Sequence, residues 1–205
     1  MRKLLSLKII FVLLILPVSS CGITNQEYPV RDFYTLDIGK IENNSSRGDE
    51  DLKIMRVRLN PKYYNQDFNY KLKENKFVND YHNQFYKPLD TMVISELYKS
   101  LTTSGIFNQV YAQNSIVDTK YFLYTNIVDI YADFSQDVPK SVLNIEFLLT
   151  QESGAIAKTV HKYTYYSEIE LDNKLPDAIV KGWNQNLIEI FNQFQSDLNN
   201  LSELN

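Results

Sequence analysis

Two spacings of hydrophobic residues run along this chain and predict its secondary structure. Alternation of apolar and polar residues is typical of half-buried β-strands. It predicts strands at residues 30–36, 52–59, 68–72, 106–111, 121–134, 143–149 and 158–169, with a shorter strand near Phe77. Ser153 and Gly154 form a turn between the last two strands, which we therefore expect to pair as a hairpin.

The strand at 52–59 has an apolar and a mixed side. One side carries Leu52, Ile54, Arg56 and Arg58, and the other carries Lys53, Met55, Val57 and Leu59. Strict alternation predicts that Met55, Val57 and Leu59 face the core. Pro61 should close the strand, because proline cannot donate to a central ladder.

Apolar residues at every third or fourth position predict two long helices, at 88–104 and 175–201. Pro88 suits a first helical position and Asp90 the positive end of the helix dipole, while Gly105 supplies a left-handed stop. The stripe of the second helix comprises Val180, Trp183, Leu187, Phe191, Phe194, Leu198 and Leu201.

The second helix could pack on a sheet or form a coiled coil. Ile179, Ile188 and Ile190 make its stripe too broad for a narrow coiled-coil seam, which favours packing on a sheet. Strands, a helix, strands and a helix together predict an α+β fold. We expect a mainly antiparallel sheet with the two long helices packed on one face.

The N-terminus has the pattern of a secretory signal. Arg2, Lys3 and Lys8 precede an apolar block at 9–16, which is shorter than the roughly 20 residues that a bilayer-spanning helix needs. The residues that follow, Val18-Ser-Ser-Cys21, resemble the lipobox of bacterial lipoproteins. An ordinary signal peptide with a chance cysteine is the alternative.

Cys21 is the only cysteine, so an intramolecular disulfide is excluded and lipidation of this thiol accounts for it. We expect cleavage between Ser20 and Cys21, and several acyl chains on Cys21 would give a stable membrane anchor. The predicted organisation is a signal peptide at 1–20, a lipidated tether at 21–30 and one α+β domain at 31–205. In Gram-negative lipoproteins an Asp after the cysteine resembles an inner-membrane retention signal, so glycine at this position favours the periplasmic face of the outer membrane.

Charge and composition exclude several functions. Once the three basic residues of the signal are removed, 18 basic and 25 acidic residues remain, which gives a net charge near −7. A nucleic-acid partner is therefore not expected, because such binders need a basic face. Two histidines, His82 and His161, and no catalytic or phosphate-binding motif predict a protein that is not an enzyme and holds no metal or cofactor.

Eight aromatic residues are concentrated in the segment 63–86. They could line the core, or some could be exposed and form a surface for a partner or for self-association. The segment is too long for every ring to point inward. The candidate interface residues are Tyr64, Tyr81, Phe85 and Tyr86.

The order of these features resembles the ABC-type transport auxiliary lipoproteins, the family that includes paraquat-inducible protein C. The similar parts are the lipobox, the Phe-Tyr-Thr-Leu-Asp run at 33–37, the strand ending in proline, and the Leu-Thr-Thr-Ser-Gly-Ile-Phe run at 101–107. The later strands, hairpin and closing helix follow in the family's order. The chain departs from the family where it has Phe85-Tyr86-Lys87-Pro88 in place of a tryptophan, and Tyr70-Lys71 in place of tyrosine and arginine.

The resemblance implies a non-catalytic component of an envelope lipid transport system, anchored in the outer membrane by its lipid. Its implied partner is a periplasmic protein of the mammalian-cell-entry type, and a homo-oligomer would suit the end of a transport tunnel. Two alternatives remain: a lipoprotein that activates or assembles cell-wall synthesis, and a lipoprotein that binds a small ligand in an aromatic pocket.

Overall fold

The computed structural model describes residues 30–39, 48–154 and 156–201, and the strands and helices lie in a unit that begins at Arg31. The strands are β1 (Asp32–Tyr34), β2 (Leu52–Leu59), β3 (Asp67–Lys73), β4 (Lys76–Phe85), β5 (Val110–Ala112), β6 (Tyr121–Asp133), β7 (Lys140–Ser153) and β8 (Ile156–Glu170). The helices are α1 (Leu89–Ser104) and α2 (Pro176–Asn199), and a short 3-10 turn occupies Pro61–Tyr63. The predicted signal peptide and most of the tether, including Cys21, lie outside the described residues.

The strands form one sheet in which β6 has neighbours along both edges. On one side β6 pairs with β7, and β7 pairs with β8, all antiparallel. On the other side β2 runs parallel to the first half of β6, and β3 runs parallel to its last residues. β5 continues the sheet beyond β2, while β4 and then β1 continue it beyond β3. The sheet is mixed but mostly antiparallel, so the α+β prediction is confirmed, as is the hairpin of β7 and β8.

The inward side of β2 differs from the prediction. Leu52 and Ile54 are buried, and Val57 is buried as well, whereas Met55 is half-buried. The register with β6 shifts between Ile54 and Val57, which places one extra residue in β2. This β-bulge reverses the alternation at mid-strand, and strict period-two reasoning cannot follow such a change. The predicted inner face is therefore correct for Val57 and for Leu59, which packs against the core, and wrong before the bulge, where Leu52 and Ile54 face inward instead of Met55.

The chain that follows α1 enters the core before it becomes a strand. Ile106 and Phe107 are buried but lie outside β5, which is limited to Val110–Ala112. Here the chain runs close beside Gly48, whose amide donates to the carbonyl oxygen of Gly105 at 2.9 Å. A Cβ atom on Gly48 would lie 2.1 Å from the carbonyl oxygen of Ile106, so a larger residue would not fit. In contrast, β4 is longer than the short strand predicted near Phe77.

Both helices pack on one face of the sheet. α2 lies against β7 and β8, and α1 lies against β2. The helices also contact each other, and the side-chain amide of Gln195 donates to the hydroxyl of Ser100 at 2.6 Å. α1 ends at Gly105 with a φ of 71°, the left-handed stop predicted for it, although Pro88 caps the helix rather than starting it. The indole of Trp183 is fully buried between α2 and the sheet.

Candidate interaction surface

The structure divides the aromatic segment between the core and the surface. Tyr63, Phe68 and Phe85 are buried, and Tyr70 is half-buried. Four rings are exposed: Tyr64, Phe77, Tyr81 and Tyr86. Some aromatic residues of this segment therefore line the core, and others are exposed on the surface.

Phe85 is a core residue, which corrects its place among the candidate interface residues. Its side chain is 4% exposed. Its ring lies 4.9 Å from that of Phe68 and 5.3 Å from that of Trp183, measured between centroids. It occupies the last position of β4, where the strand passes under the helices, so it faces the core while its neighbour Tyr86 faces solvent.

Tyr81 and Tyr86 belong to a surface at the outer strands of the sheet. β1 runs parallel to β4 at this end, so residues of β1 lie beside them. The guanidinium carbon of Arg31 lies 3.9 Å from the ring centroid of Tyr81, and Phe33 meets Tyr86 edge-to-face at 6.5 Å. We call Arg31, Phe33, Tyr81 and Tyr86 the edge patch. Its aromatic rings are exposed by half or more, and aromatic residues with arginine are enriched in protein interfaces.

Tyr64 lies apart from the edge patch. It follows the 3-10 turn after β2 and is 67% exposed. Its ring lines a groove formed with residues of β2 and the start of α1. The four candidate interface residues thus divide into three locations, and the structure brings together only Tyr81 and Tyr86.

A carboxylate inside β4 shapes the edge patch. Asp67 pairs with Gln84 and Phe68 pairs with Asp80, so residues 81–83 bulge out of the pairing between β3 and β4. Asp80 accepts hydrogen bonds from the amide of His82 at 2.9 Å and from the side chain of Asn83 at 2.6 Å. These contacts fold the bulge around the carboxylate.

Hydrogen bonding keeps Asp80 ionised. The hydroxyl of Tyr70 donates to it at 2.7 Å. Burial alone would raise the pKa of Asp80, but the hydrogen bonds that it accepts from Tyr70, from Asn83 and from backbone amides hold that pKa below its ordinary value. Burial, followed by the bond to the carboxylate, raises the pKa of Tyr70. Asp80 is therefore a structural anion whose role is to hold the bulge.

The described part of the chain also bears on two other kinds of site, a metal centre and a membrane-spanning segment. There, no group of three or more histidine, cysteine, aspartate or glutamate side chains is placed to hold a metal ion. The two described helices also lack the length and hydrophobicity needed to cross a bilayer. Ser20 and Cys21, the predicted cleavage and lipidation residues, lie outside the described residues.

No protein-family model matches this sequence, and no curated protein matches it. Solved structures do match the fold. A protein from Xanthomonas campestris, described by the family model DUF330, has a TM-score of 0.71 at 13% identity, over 80% of this chain and 92% of that chain. An uncharacterized protein has a TM-score of 0.67 at 15% identity, over 82% and 99%. At these identities the likeness concerns the fold, and this chain has the fold of a DUF330 protein over most of both chains.

Proposed function

We propose that this protein is a lipid-anchored, non-catalytic docking component of an ABC-type transport system, at the periplasmic face of the outer membrane. The observation that carries the proposal is the fold shared with the DUF330 protein, a fold like that of the transport auxiliary lipoproteins. The lipobox-like motif at Cys21 supports it separately, because that motif precedes the folded unit that begins at Arg31.

The anchor would hold the protein at the membrane, and the edge patch would bind the partner protein. Acyl chains on Cys21 hold one end of the chain in the membrane, and residues 21–30 reach at most about 35 Å when fully extended. Within that reach the edge patch presents exposed rings beside an arginine, a composition suited to binding another protein. The partner that the family resemblance implies is a periplasmic protein of the mammalian-cell-entry type, and the transported molecule would be a lipid.

Metabolic labelling with radioactive palmitate tests the anchor. The wild-type protein should incorporate the label and fractionate with the outer membrane. Cys21→Ala should incorporate none and should lose its membrane association. A wild-type protein that remains unlabelled would contradict the proposal at its first step.

Affinity purification from detergent-solubilised envelopes, after mild cross-linking, tests the partner. Recovery of a mammalian-cell-entry protein together with an ABC permease is the expected result. Recovery of a penicillin-binding protein would favour a role in cell-wall synthesis instead. Recovery of no protein would favour the binding of a small ligand, and both of these results contradict the proposed role in transport.

A further inference from the structure

Two arginines on the second half of β2 have no partner among the described residues. Arg56 and Arg58 are both exposed, and no ion pair or hydrogen bond joins either guanidinium to another described side chain or carbonyl. Their situation differs from that of Lys162 nearby, which pairs with Glu146 at 3.5 Å. Arginine forks bind carboxylates and phosphates strongly, so two unpaired ones on an acidic protein indicate a site for an anion.

Arg56 and Arg58 both line a groove of about 870 Å³. Its lining takes residues from both faces of β2, since Arg56 and Arg58 are exposed and Val57 is buried. Its apolar lining residues are Val57, Leu59, Pro61, Tyr63, Tyr64, Pro88, Leu89 and Val128. Asp90, in the first turn of α1, is the carboxylate on its rim. The volume is in the range of about 300–1,000 Å³ that is typical of ligand-binding clefts.

A second hollow continues from the same arginines across the outer face of the sheet. It has a volume of about 470 Å³ and is lined in part by Tyr124, Leu148 and Lys162. Arg56, Arg58 and Lys162 outnumber Glu146, the one carboxylate among its lining residues. The surface around the two arginines is therefore locally basic, although the whole chain carries a net charge of −4.

The backbone beside the arginines is an unpaired strand edge. β5 pairs with β2 only at Leu52, Lys53 and Ile54. Residues 57–59 pair with β6 on one side, and no described strand pairs with them on the other. Alternate residues of a parallel strand direct their N–H and C=O groups to opposite sides, so part of this backbone is available to a further strand.

We propose that this groove binds an extended acidic segment of a partner protein, which adds as a strand beside residues 57–59, next to the bulge that holds Arg56. Side chains two apart on a strand lie about 6.6 Å from each other on the same face. An extended segment with acidic residues at alternate positions has the same spacing, so its carboxylates match Arg56 and Arg58. Its intervening side chains would contact the apolar walls.

A peptide suits this site better than a phosphate or a lipid headgroup does. A headgroup could neutralise the guanidiniums, but it would leave the amides and carbonyls of the strand edge unpaired. A peptide can neutralise the guanidiniums and also pair with the amides and carbonyls of the strand edge. The inference goes beyond the proposed function, because it concerns one groove and can be tested without any transport component.

The test measures binding of a short fluorescent peptide in which glutamate alternates with valine, to the full-length protein in non-ionic detergent. Two control peptides are needed. One has the same composition with its glutamates adjacent, and the other is N-methylated at alternate amides so that it cannot pair with a strand. The alternating peptide should bind at least about ten-fold more tightly than either control, a difference of about 1.4 kcal/mol.

Protein variants identify the residues involved. Arg56→Gln/Arg58→Gln should weaken binding of the alternating peptide by at least about ten-fold. Arg31→Gln, which removes a surface arginine from the edge patch, should leave binding unchanged. Circular dichroism checks that each variant is folded, and Arg56→Lys/Arg58→Lys should restore part of the affinity.

Three results would overturn the proposal. The first is equal binding of the alternating and adjacent peptides, and the second is undiminished binding by the Arg56→Gln/Arg58→Gln variant. The third is preferential binding of inorganic phosphate or of vesicles containing phosphatidylglycerol, lost in that variant. This last result would make the groove a site for a phosphate or a lipid headgroup, and the two probes distinguish between them.

Discussion

The hydroxyl of Ser141, on β7, donates a hydrogen bond of 2.6 Å to Oδ1 of Asn186, on α2, and both side chains are fully buried. The amide nitrogen of Asn186 in turn donates to the hydroxyl of Ser167, on β8, at 2.9 Å. That hydroxyl donates to a carboxylate oxygen of Glu189 at 2.8 Å. The chain of hydrogen bonds therefore joins α2 to two strands, and its members satisfy one another inside an otherwise apolar interface.

Asn186→Ala should destabilise the protein strongly. The change leaves the buried hydroxyls of Ser141 and Ser167 without the amide between them, and a buried polar group that loses its partner costs about 1–3 kcal/mol. We expect the free energy of unfolding to fall by about 2–4 kcal/mol. Urea unfolding followed by the fluorescence of Trp183 measures it, because this is the only tryptophan.

The control for this variant is Asn192→Ala. Asn192 lies on the same helix but on its exposed side. Its replacement should change the free energy of unfolding by no more than about 0.5 kcal/mol. Equal effects of the two changes would mean that the buried network does not contribute to stability.

Gly182→Ala tests how closely α2 approaches the sheet. Glycine in the middle of a helix ordinarily costs about 1 kcal/mol relative to alanine, so this change alone would stabilise an exposed helix. Here a Cβ atom would lie 2.5 Å from the hydroxyl of Ser141 and 2.5 Å from a methyl group of Leu171. We therefore expect the opposite sign, with a loss of about 1–3 kcal/mol from overpacking.

A double-mutant cycle with Ser141→Gly tests whether the clash of an alanine Cβ at position 182 is with the side chain of Ser141. Removing the side chain of Ser141 should make the substitution at Gly182 less costly, so the two effects should not add. Additive effects would indicate that contact with Ser141 is not what requires glycine. Unfolding midpoints and slopes in urea give both free energies.

The sequence predicts which segments form helices and strands better than it predicts which side of each one faces the core. Regular spacing placed both helices and the hairpin of β7 and β8 correctly, because their apolar stripes are long, although the register of the hairpin shifts between Leu149 and Thr150. β2 and β4 each contain a bulge, and no local signal in the sequence marks either one. The bulge in β2 turns Leu52 and Ile54, rather than Met55, toward the core and leaves Val57 and Leu59 on the predicted side. Phe85 was expected at the surface because eight aromatic residues in 63–86 could not all point inward, and composition alone does not indicate which of them are buried.

The polar features were missed for a different reason. The stripe of α2 was predicted from its apolar residues, and Asn186 lies within the buried side without matching that pattern. Its partners are 19 and 45 residues away in the sequence, so only the tertiary structure joins them. The signal for Arg56 and Arg58 was present, as two arginines at alternate positions on one side of a strand. Their unpaired state and the groove beside them depend on strand order, which the sequence did not indicate.

Phe85 and Tyr86 are adjacent in the chain and should respond oppositely to mutation. Phe85→Ala removes a ring packed against Phe68 and Trp183, and the cavity should cost about 3–5 kcal/mol of unfolding free energy. Tyr86→Ser removes an exposed ring and should cost about 0.5 kcal/mol or less. Thermal and urea unfolding measure the loss of unfolding free energy in each of the two variants. A large loss in Tyr86→Ser would show that the ring has a structural role rather than a role in binding.

The edge patch should be required for association and dispensable for folding. Phe33→Ser/Tyr81→Ser/Tyr86→Ser removes its rings, and central aromatic residues of an interface often cost 2 kcal/mol or more, so recovery of the partner or of self-associated protein should fall by about ten-fold or more. Far-UV circular dichroism should be unchanged. The matched control is Tyr98→Ser/Ile116→Ser, which removes exposed apolar side chains elsewhere. If the triple variant associates as wild type does, the edge patch is not the interface.

Acid should destabilise the protein through two carboxylates that hold backbone bends. Asp133 accepts from Lys71 at 2.9 Å and from the amide of Ser135 at 2.9 Å, and Asp80 holds the bulge in β4. Burial alone would raise the pKa of Asp133, but the hydrogen bonds from Ser135 and Lys71 and the charge of Lys71 keep that pKa below its ordinary value of 3.8, as for Asp80. A carboxylate whose pKa is lower in the folded state stabilises the fold fully above its unfolded pKa. That stabilisation is lost as the pH falls through the folded pKa.

The free energy of unfolding contributed by these two groups should therefore be constant from about pH 5 upward and should decline below about pH 4. Asp80→Asn/Asp133→Asn should be less stable than wild type at pH 7, because the amides cannot accept the same bonds, and its stability should depend less on pH between 5 and 2. Asp118→Asn, a change in an exposed loop, is the control and should retain the acid dependence of the wild type. Urea unfolding at a series of pH values gives the slope of the unfolding free energy against pH for each protein. A double variant with an undiminished slope would mean that other carboxylates cause the acid sensitivity, since the slope reports the difference in bound protons between the unfolded and folded states.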